Sequence, residues 1–250
     1  LRPLILVHGL MGTAATHFGA CAQLWTRPVV TPGLPGHGAD PQVPAHPARV
    51  AIERLQAEIR AQEQAPLLVG LSYLGAAVAL RAAQAADSGA VHGVVLSGYS
   101  LVVGPSTLGR WLTGFIGLAA QQQATRDHFA ALHGPDWDHL LTATAAELSD
   151  GCLVLPDAAD LARLELPVLL ANGALLENER LSAQPAAEAG ADVALLAGAG
   201  HLVPPDSPRS FVAVVEEFSD RIDQRRTTFH ERRRAAERQQ TAAVPDGAAA

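Results

Sequence analysis

Lysine is missing from this 250-residue chain; all 18 of its basic side chains are arginine. Together with abundant alanine, that is the mark of a GC-rich coding bias and carries no functional meaning. Cysteine is scarce: Cys21 and Cys152 are the 2 present, too few and too far apart for a disulfide framework or a zinc site, so both are expected as buried or free thiols. Aromatic residues make up 4%. No apolar run approaches the ~20 residues that a membrane helix needs. A basic sheath is also lacking. The formal charge is −7, and residues 221–250 hold seven Arg against four acids, so the body is more acidic than the total suggests. The electrostatic footprint of a nucleic-acid binder is therefore absent. The first residues, LRPLILVHG, read as a strand rather than a signal peptide. They open without Met, so upstream sequence is expected to be missing, and the localisation expected by default is cytoplasmic.

What is present points to one large α/β domain. Nearly half the residues (48%) are apolar, and 250 residues can form one such unit. Residues 65–83, APLLVGLSYLGAAVALRAA, organise the rest. Branched residues 67–69, bounded by Pro66 and Gly70, suit a buried parallel strand. Gly70-Leu71-Ser72 is a turn, and an Ala-rich helix starts near Tyr73. A serine at such a turn is held clear of the sheet, and the unpaired first N–H groups of the helix can bind a negative oxygen.

This stretch resembles the nucleophile elbow of the α/β-hydrolase family. The family pattern is Gly-x-Ser-x-Gly; here Leu74 stands at the second position after Ser72, and glycine follows at Gly75. Upstream, residues 3–7 form a strand ending in His8-Gly9-Leu10-Met11-Gly12, similar to the family's oxyanion loop. By position the resemblance implies the backbone N–H groups of Leu10 and Tyr73 as oxyanion donors, with His8 bracing the loop. The Pro/Gly-rich segment 32–38, ending Gly36-His37-Gly38, also matches the family and is by itself a tight turn.

Along the chain, Ile52, Leu55 and Ile59 recur at helical spacing, as expected of an amphipathic helix lying on a sheet. Residues 91–96 form another strand, ending in Ser97-Gly98-Tyr99-Ser100. Ser100 also follows Gly-x, but no small-residue helix begins after it, so Ser72 is the expected nucleophile. Residues 105–164 lose the strand pattern and read as helices. The resemblance makes them a cap, with Trp111, Phe115, Ile116 and Leu118 as its apolar content. Asp127, His128, His133, Asp136, Asp138 and His139 cluster there, but their spacing matches no metal motif, and solvated cap helices are expected.

Residues 166–171 and 193–196 complete the strands. The Gly-rich loop after the last strand carries His201, where the family keeps its catalytic base; an imidazole titrates near neutrality and can shuttle a proton. The acid normally sits three residues past the glycine of Asn172-Gly173. That residue is Leu176, so Glu177 is the first expectation for the acid and Glu179 the second. Residues 206–220 form a closing helix through Phe211, Val212, Val215 and Phe218. Beyond it the chain is polar all round, an exposed helix ending in a disordered stretch of about ten residues.

The resulting expectation is an α/β-hydrolase fold. Its mostly parallel sheet lacks the first two of the family's usual eight strands, with residues 1–104 and 165–220 as core, 105–164 as cap and 221–250 as Arg-rich extension. Its implied activity is hydrolysis of a small-molecule carboxylic ester through a Ser72 acyl-enzyme, with no cofactor, metal, nucleic acid or membrane partner. The alternative, motivated by Leu74 and Leu176, is a catalytically impaired relative that binds a ligand or protein.

Overall fold

A computed structural model describes residues 1–242, with side chains through residue 225. Six strands are described: β1 (Leu4–Val7), β2 (Val29–Val30), β3 (Leu67–Leu71), β4 (Gly93–Ser97), β5 (Val168–Gly173) and β6 (Asp192–Leu196). They form one sheet in the order β2-β1-β3-β4-β5-β6, and every pair is parallel. Parallel neighbours need crossovers, and here helices supply them. The principal ones are α1 (Ala14–Phe18), α2 (Pro47–Ala61) and α3 (Ser72–Gln84).

The central strands are buried along their whole length, so they read as continuous apolar runs, while their side chains still alternate between two faces. Ile5, Val7, Leu68 and Val94 join Leu55, Ile59 and the alanines of α3 in one core. Leu4, Leu6, Leu67 and Val95 pack with Phe211, Val215 and Phe218 in the other. Those last residues belong to the final helix. It runs unbroken over Pro208–Ala242, so the closing helix and the start of the polar extension are one element. Most of the expected disordered stretch lies outside the described residues.

Strand order reverses at β1: the chain first steps outward to β2, then returns to add β3 to β6 on the other side. In open α/β sheets the crevice beyond the carboxyl ends at such a switch point is where ligands bind. Here it lies between the ends of β1 and β3, the strands that lead into Gly9 and Ser72.

Between β4 and β5 the chain inserts α4 (Pro105–Ala120), α5 (Gln123–His133) and α6 (Trp137–Asp150), followed by α7 (Ala158–Arg163). The inserted helices have their own cluster of Ala119, Trp137 and Leu141, with Phe115, Ile116 and Phe129 packed against it. Of the four apolar residues named for the cap, Trp111 and Phe115 line the cavity over Ser72, Ile116 packs within the inserted helices, and Leu118 faces solvent at 54% exposure. Buried polar contacts tie the insertion to the core, among them one at the start of α2. The N-cap of α2, His46, makes no side-chain cap; instead Glu147 of α6 accepts the Ala48 and Arg49 N–H groups at 2.9 and 3.4 Å. A carboxylate there meets both the unpaired donors and the positive end of the helix.

Candidate active site

β3 feeds straight into α3, and Ser72 at the junction holds a φ of 62°. A non-glycine residue rarely occupies that left-handed region, which costs of order 1–3 kcal/mol and persists where the surroundings over-determine it. The surroundings are tight. A Cβ on Gly70 would come 2.3 Å from the Gly75 carbonyl, and one on Gly75 would lie 2.5 Å from the Val7 carbonyl oxygen. The close approach of α3 to the end of β1 thus falls at Gly75, one place later than the glycine of the Gly-x-Ser-x-Gly pattern. Leu74 does not crowd the turn; its buried side chain lines the neighbouring cavity.

Ser72 Oγ lies 2.8 Å from His201 Nε2, and His201 Nδ1 lies 2.7 Å from Glu179 Oε1. A carboxylate can only accept, so Nδ1 carries the proton and Nε2 is left to accept from the serine hydroxyl. The Tyr73 ring stacks on the imidazole, with centroids 5.9 Å apart and planes at 24°.

The carboxylate beside His201 therefore belongs to Glu179, not to Glu177, the sequence's first expectation. Glu177 is exposed and Glu179 fully buried. The reason is local: the chain after Gly173 does not stay a loop but winds into α8 (Glu177–Leu181), with Leu176 as its N-cap. Residues three apart share a helix face. The carboxylate beside His201 lies three residues past position 176, about 4.5 Å of axial rise, and a glutamate's extra methylene helps recover the reach.

A polar clamp holds this segment. Asn172 Oδ1 accepts the Tyr99 N–H at 3.0 Å, while Nδ2 donates to the carbonyls of Tyr99 and Glu179 at 2.7 and 3.2 Å. Ser182 Oγ accepts the Leu101 N–H and donates to the Asn178 carbonyl, each at 2.8 Å. Ser100, the decoy, also donates to that carbonyl, at 3.0 Å; it braces the acid's segment. Sequence reading missed Ser182 entirely, because a serine inside a helical pattern gives no signal that its hydroxyl reaches another strand's loop.

Four histidines sit behind the serine. His8 lies 4.9 Å from His37 and 6.3 Å from His17, and His37 lies 5.4 Å from His133, centroid to centroid. Burial pushes His8 and His17 down to about 4 and His37 to about 3, and His133 is lowered for the same reason. His133 of α5 accepts the Gly38 N–H through Nδ1 at 3.2 Å. Among the described residues no group of three or more His, Cys, Asp or Glu could hold a metal ion. Both cysteines are free, Cys21 buried and Cys152 exposed.

The buried histidines set a pH dependence. Their folded pKa values lie below the ordinary value near 6.5, so between pH 6.5 and about 4 the unfolded chain binds more protons and stability falls as pH falls. We expect Tm to hold above pH 7 and to drop steeply from pH 6.5 downward. Each group adds at most about 1.4 kcal/mol per pH unit. Thermal unfolding across pH checks this, and His37→Gln should flatten the slope; an unchanged slope rules His37 out as a contributor.

The cavity over Ser72 has a volume of about 630 Å³. Met11, Leu74, Trp111, Phe115, Phe129 and Leu141 supply much of its wall, and Ser72, Glu179 and His201 reach it on one side. Among the described residues that line it none is arginine. No helix among the described residues is long and apolar enough to cross a membrane.

The sequence and structure have clear relatives. NosK from Streptomyces actuosus is 35% identical, with a TM-score of 0.81 over 89% of this chain and 99% of that one. A meta-cleavage product hydrolase from Pseudomonas fluorescens IP01 (CumD) has a TM-score of 0.66 at 16% identity, over 88% of this chain and 91% of that one. MenH from S. aureus has a TM-score of 0.65 at 17% identity, over 89% and 94%; these two likenesses establish the fold alone. No curated protein sequence matches. The alpha/beta hydrolase family profile matches residues 4–214, nearly the whole of the sheet and its helices, and the chain belongs to that family.

Proposed function

We propose that this protein is a serine hydrolase that cleaves esters of apolar acyl groups through an acyl-enzyme on Ser72. The observation that carries the reading is the unbroken hydrogen-bonded line Ser72–His201–Glu179 opening on an apolar cavity. A serine hydroxyl is a weak nucleophile until a base takes its proton. His201 Nε2 accepts that proton as Oγ bonds to the ester carbonyl carbon, and Glu179 holds the imidazole in the tautomer that can do so. The carbonyl oxygen becomes an oxyanion, held by the Leu10 and Tyr73 N–H groups. As the carbon–oxygen bond to the alcohol breaks, His201 returns its proton to the leaving oxygen. Water then repeats the sequence on the acyl-enzyme, with His201 again the base, and releases the acid.

Substrate preference follows from the walls. Each buried methylene is worth about 0.8 kcal/mol, or about fourfold, so kcat/KM for p-nitrophenyl esters should climb from acetate through hexanoate until the cavity is filled. An acyl chain ending in a carboxylate meets no arginine among the lining residues and should be turned over poorly. A preference for acetate, or for the charged acyl group, sinks the apolar assignment. Leu74 in the cavity wall and Glu179 beside the imidazole favour this reading over that of a catalytically impaired relative that binds a ligand or protein.

A further inference from the structure

We propose that His17 is a positioning residue for the oxyanion hole: its Nδ1 anchors the Gly9 N–H and so fixes the turn that carries the Leu10 N–H. The inference rests on the Ser72 acyl-enzyme reading and on Leu10 as a donor. Its own support is geometric.

Where β1 ends, the chain leaves the sheet beside Ser72; a Cβ on Gly9 would come 2.6 Å from the Ser72 Cβ. The turn that follows is strained, since Met11 holds a φ of 61°. A side-chain-bearing residue stays in that region only where its surroundings hold it. Two contacts from His17 do so. Gly9 donates its N–H to His17 Nδ1 at 3.1 Å, closing the turn back onto α1. The His17 ring also lies flush on Gly12, where an added Cβ would sit 2.1 Å from both Cε1 and Nε2. The helix that presents His17 is itself fixed by a Thr13–Thr16 capping box.

The consequence for Leu10 follows from peptide planarity. The Gly9 carbonyl accepts from His8 Nδ1–H at 3.0 Å and from the Gly12 N–H at 3.4 Å. Across a trans peptide the N–H points opposite to the C=O, so the Leu10 N–H is aimed away from both. His8 thus holds one peptide flanking Gly9 and His17 the other. Preorganised donors stabilise developing charge without reorganising as it appears. Losing the hold on Gly9 frees the turn to relax toward ordinary backbone angles and re-aim the donor.

The bond needs His17 to accept, and burial, with smaller contributions from His8, His201 and His133, lowers its pKa to about 4. His37 faces it as well. The acceptor is therefore intact at neutral pH.

The test uses two isosteres and a phosphonate. The Asn side-chain oxygen is attached where His17 Nδ1 is and can accept from Gly9; the Gln amide reaches only the place of Nε2 and cannot. With p-nitrophenyl butyrate, His17→Ala and His17→Gln should lose about 10- to 100-fold in kcat, less than the ~10²–10³ of a donor removed outright, with KM within about twofold. His17→Asn should recover to within about fivefold of the parent. Fluorophosphonate labelling of Ser72 should slow in the same order, with thermal melts confirming that each variant is folded. If His17→Ala does not fold, the Asn and Gln variants decide alone. Equal kcat in Asn, Gln and parent, or a loss confined to KM, overturns the inference while Ser72-dependent labelling leaves the acyl-enzyme reading standing. Failure of the parent to label at Ser72 removes that reading and this one together.

Discussion

Ser72→Ala is expected to lower kcat for any ester substrate by on the order of 10⁶-fold and to abolish fluorophosphonate labelling. On the proposed acyl-enzyme mechanism the effect is the largest available, because the substitution removes the atom that would form the covalent bond, leaving only binding and the proposed oxyanion donors. It should leave the fold intact. Alanine at 72 meets the same left-handed strain that serine tolerates at φ 62°, and the hydroxyl lost had its partner in His201 alone among the described hydrogen bonds. Tm should shift by no more than a few degrees. By contrast, Ser72→Gly removes the side chain that makes a positive φ costly, and should abolish turnover while leaving Tm equal to or above that of the alanine variant.

Glu179→Gln should lower kcat by about 10⁴-fold, whereas Glu177→Gln should change it by less than about twofold. The two glutamates lie two positions apart on one short helix, so the comparison isolates placement from composition. Glutamine at 179 can still fit the space, but its amide can donate to His201 Nδ1, favouring the tautomer with the proton on Nε2, where no proton can be taken from Ser72. On the proposed mechanism, removing the charge also withdraws the partner of the imidazolium that would form as Oγ attacks. Glu177 is exposed and forms no hydrogen bond with His201. Steady-state kinetics with a p-nitrophenyl ester, alongside thermal melts, decides between them. Comparable losses at both positions contradict the assignment.

Much of this architecture was legible because each piece rests on local chemistry. The buried strands announced themselves as apolar runs bounded by turn residues, and Ser72 lay where one such run met an Ala-rich helix. His201 followed the last strand in a Gly-rich loop, a local pattern again. Glu179 was harder. Its identity depends on whether residues 174–181 form a loop or a helix, and a five-residue helix capped by Leu176 without a side-chain cap leaves almost no periodicity to read. Leu74 misled for a different reason. A pattern of small residues around Ser72 encodes contacts with the end of β1, and only the packing reveals that Gly75, not position 74, makes them. His17 was invisible for the same cause: its partner is a backbone N–H, which no sequence displays. Leu118 shows the limit of composition, since an apolar residue on an inserted helix can face solvent as well as the site.

Glu147 and the buried histidines link these parts to stability. The former joins the inserted helices to α2, and the latter pack between the elbow and α5. Both place costly polar groups in the interior. Glu147 meets the Ala48 and Arg49 N–H groups, and His8, His17, His37 and His133 each meet one backbone group through Nδ1, which offsets part of the cost. The buried His37 Nε2 has no hydrogen-bond partner among the described residues.

The most direct test of the central claim is the mass of the protein quenched by acid during turnover of a p-nitrophenyl ester. A species heavier by one acyl group is expected, the addition lying on the peptide that contains Ser72 and absent from Ser72→Ala. Turnover that survives Ser72→Ala, with no acylated protein at any time point, would contradict that claim.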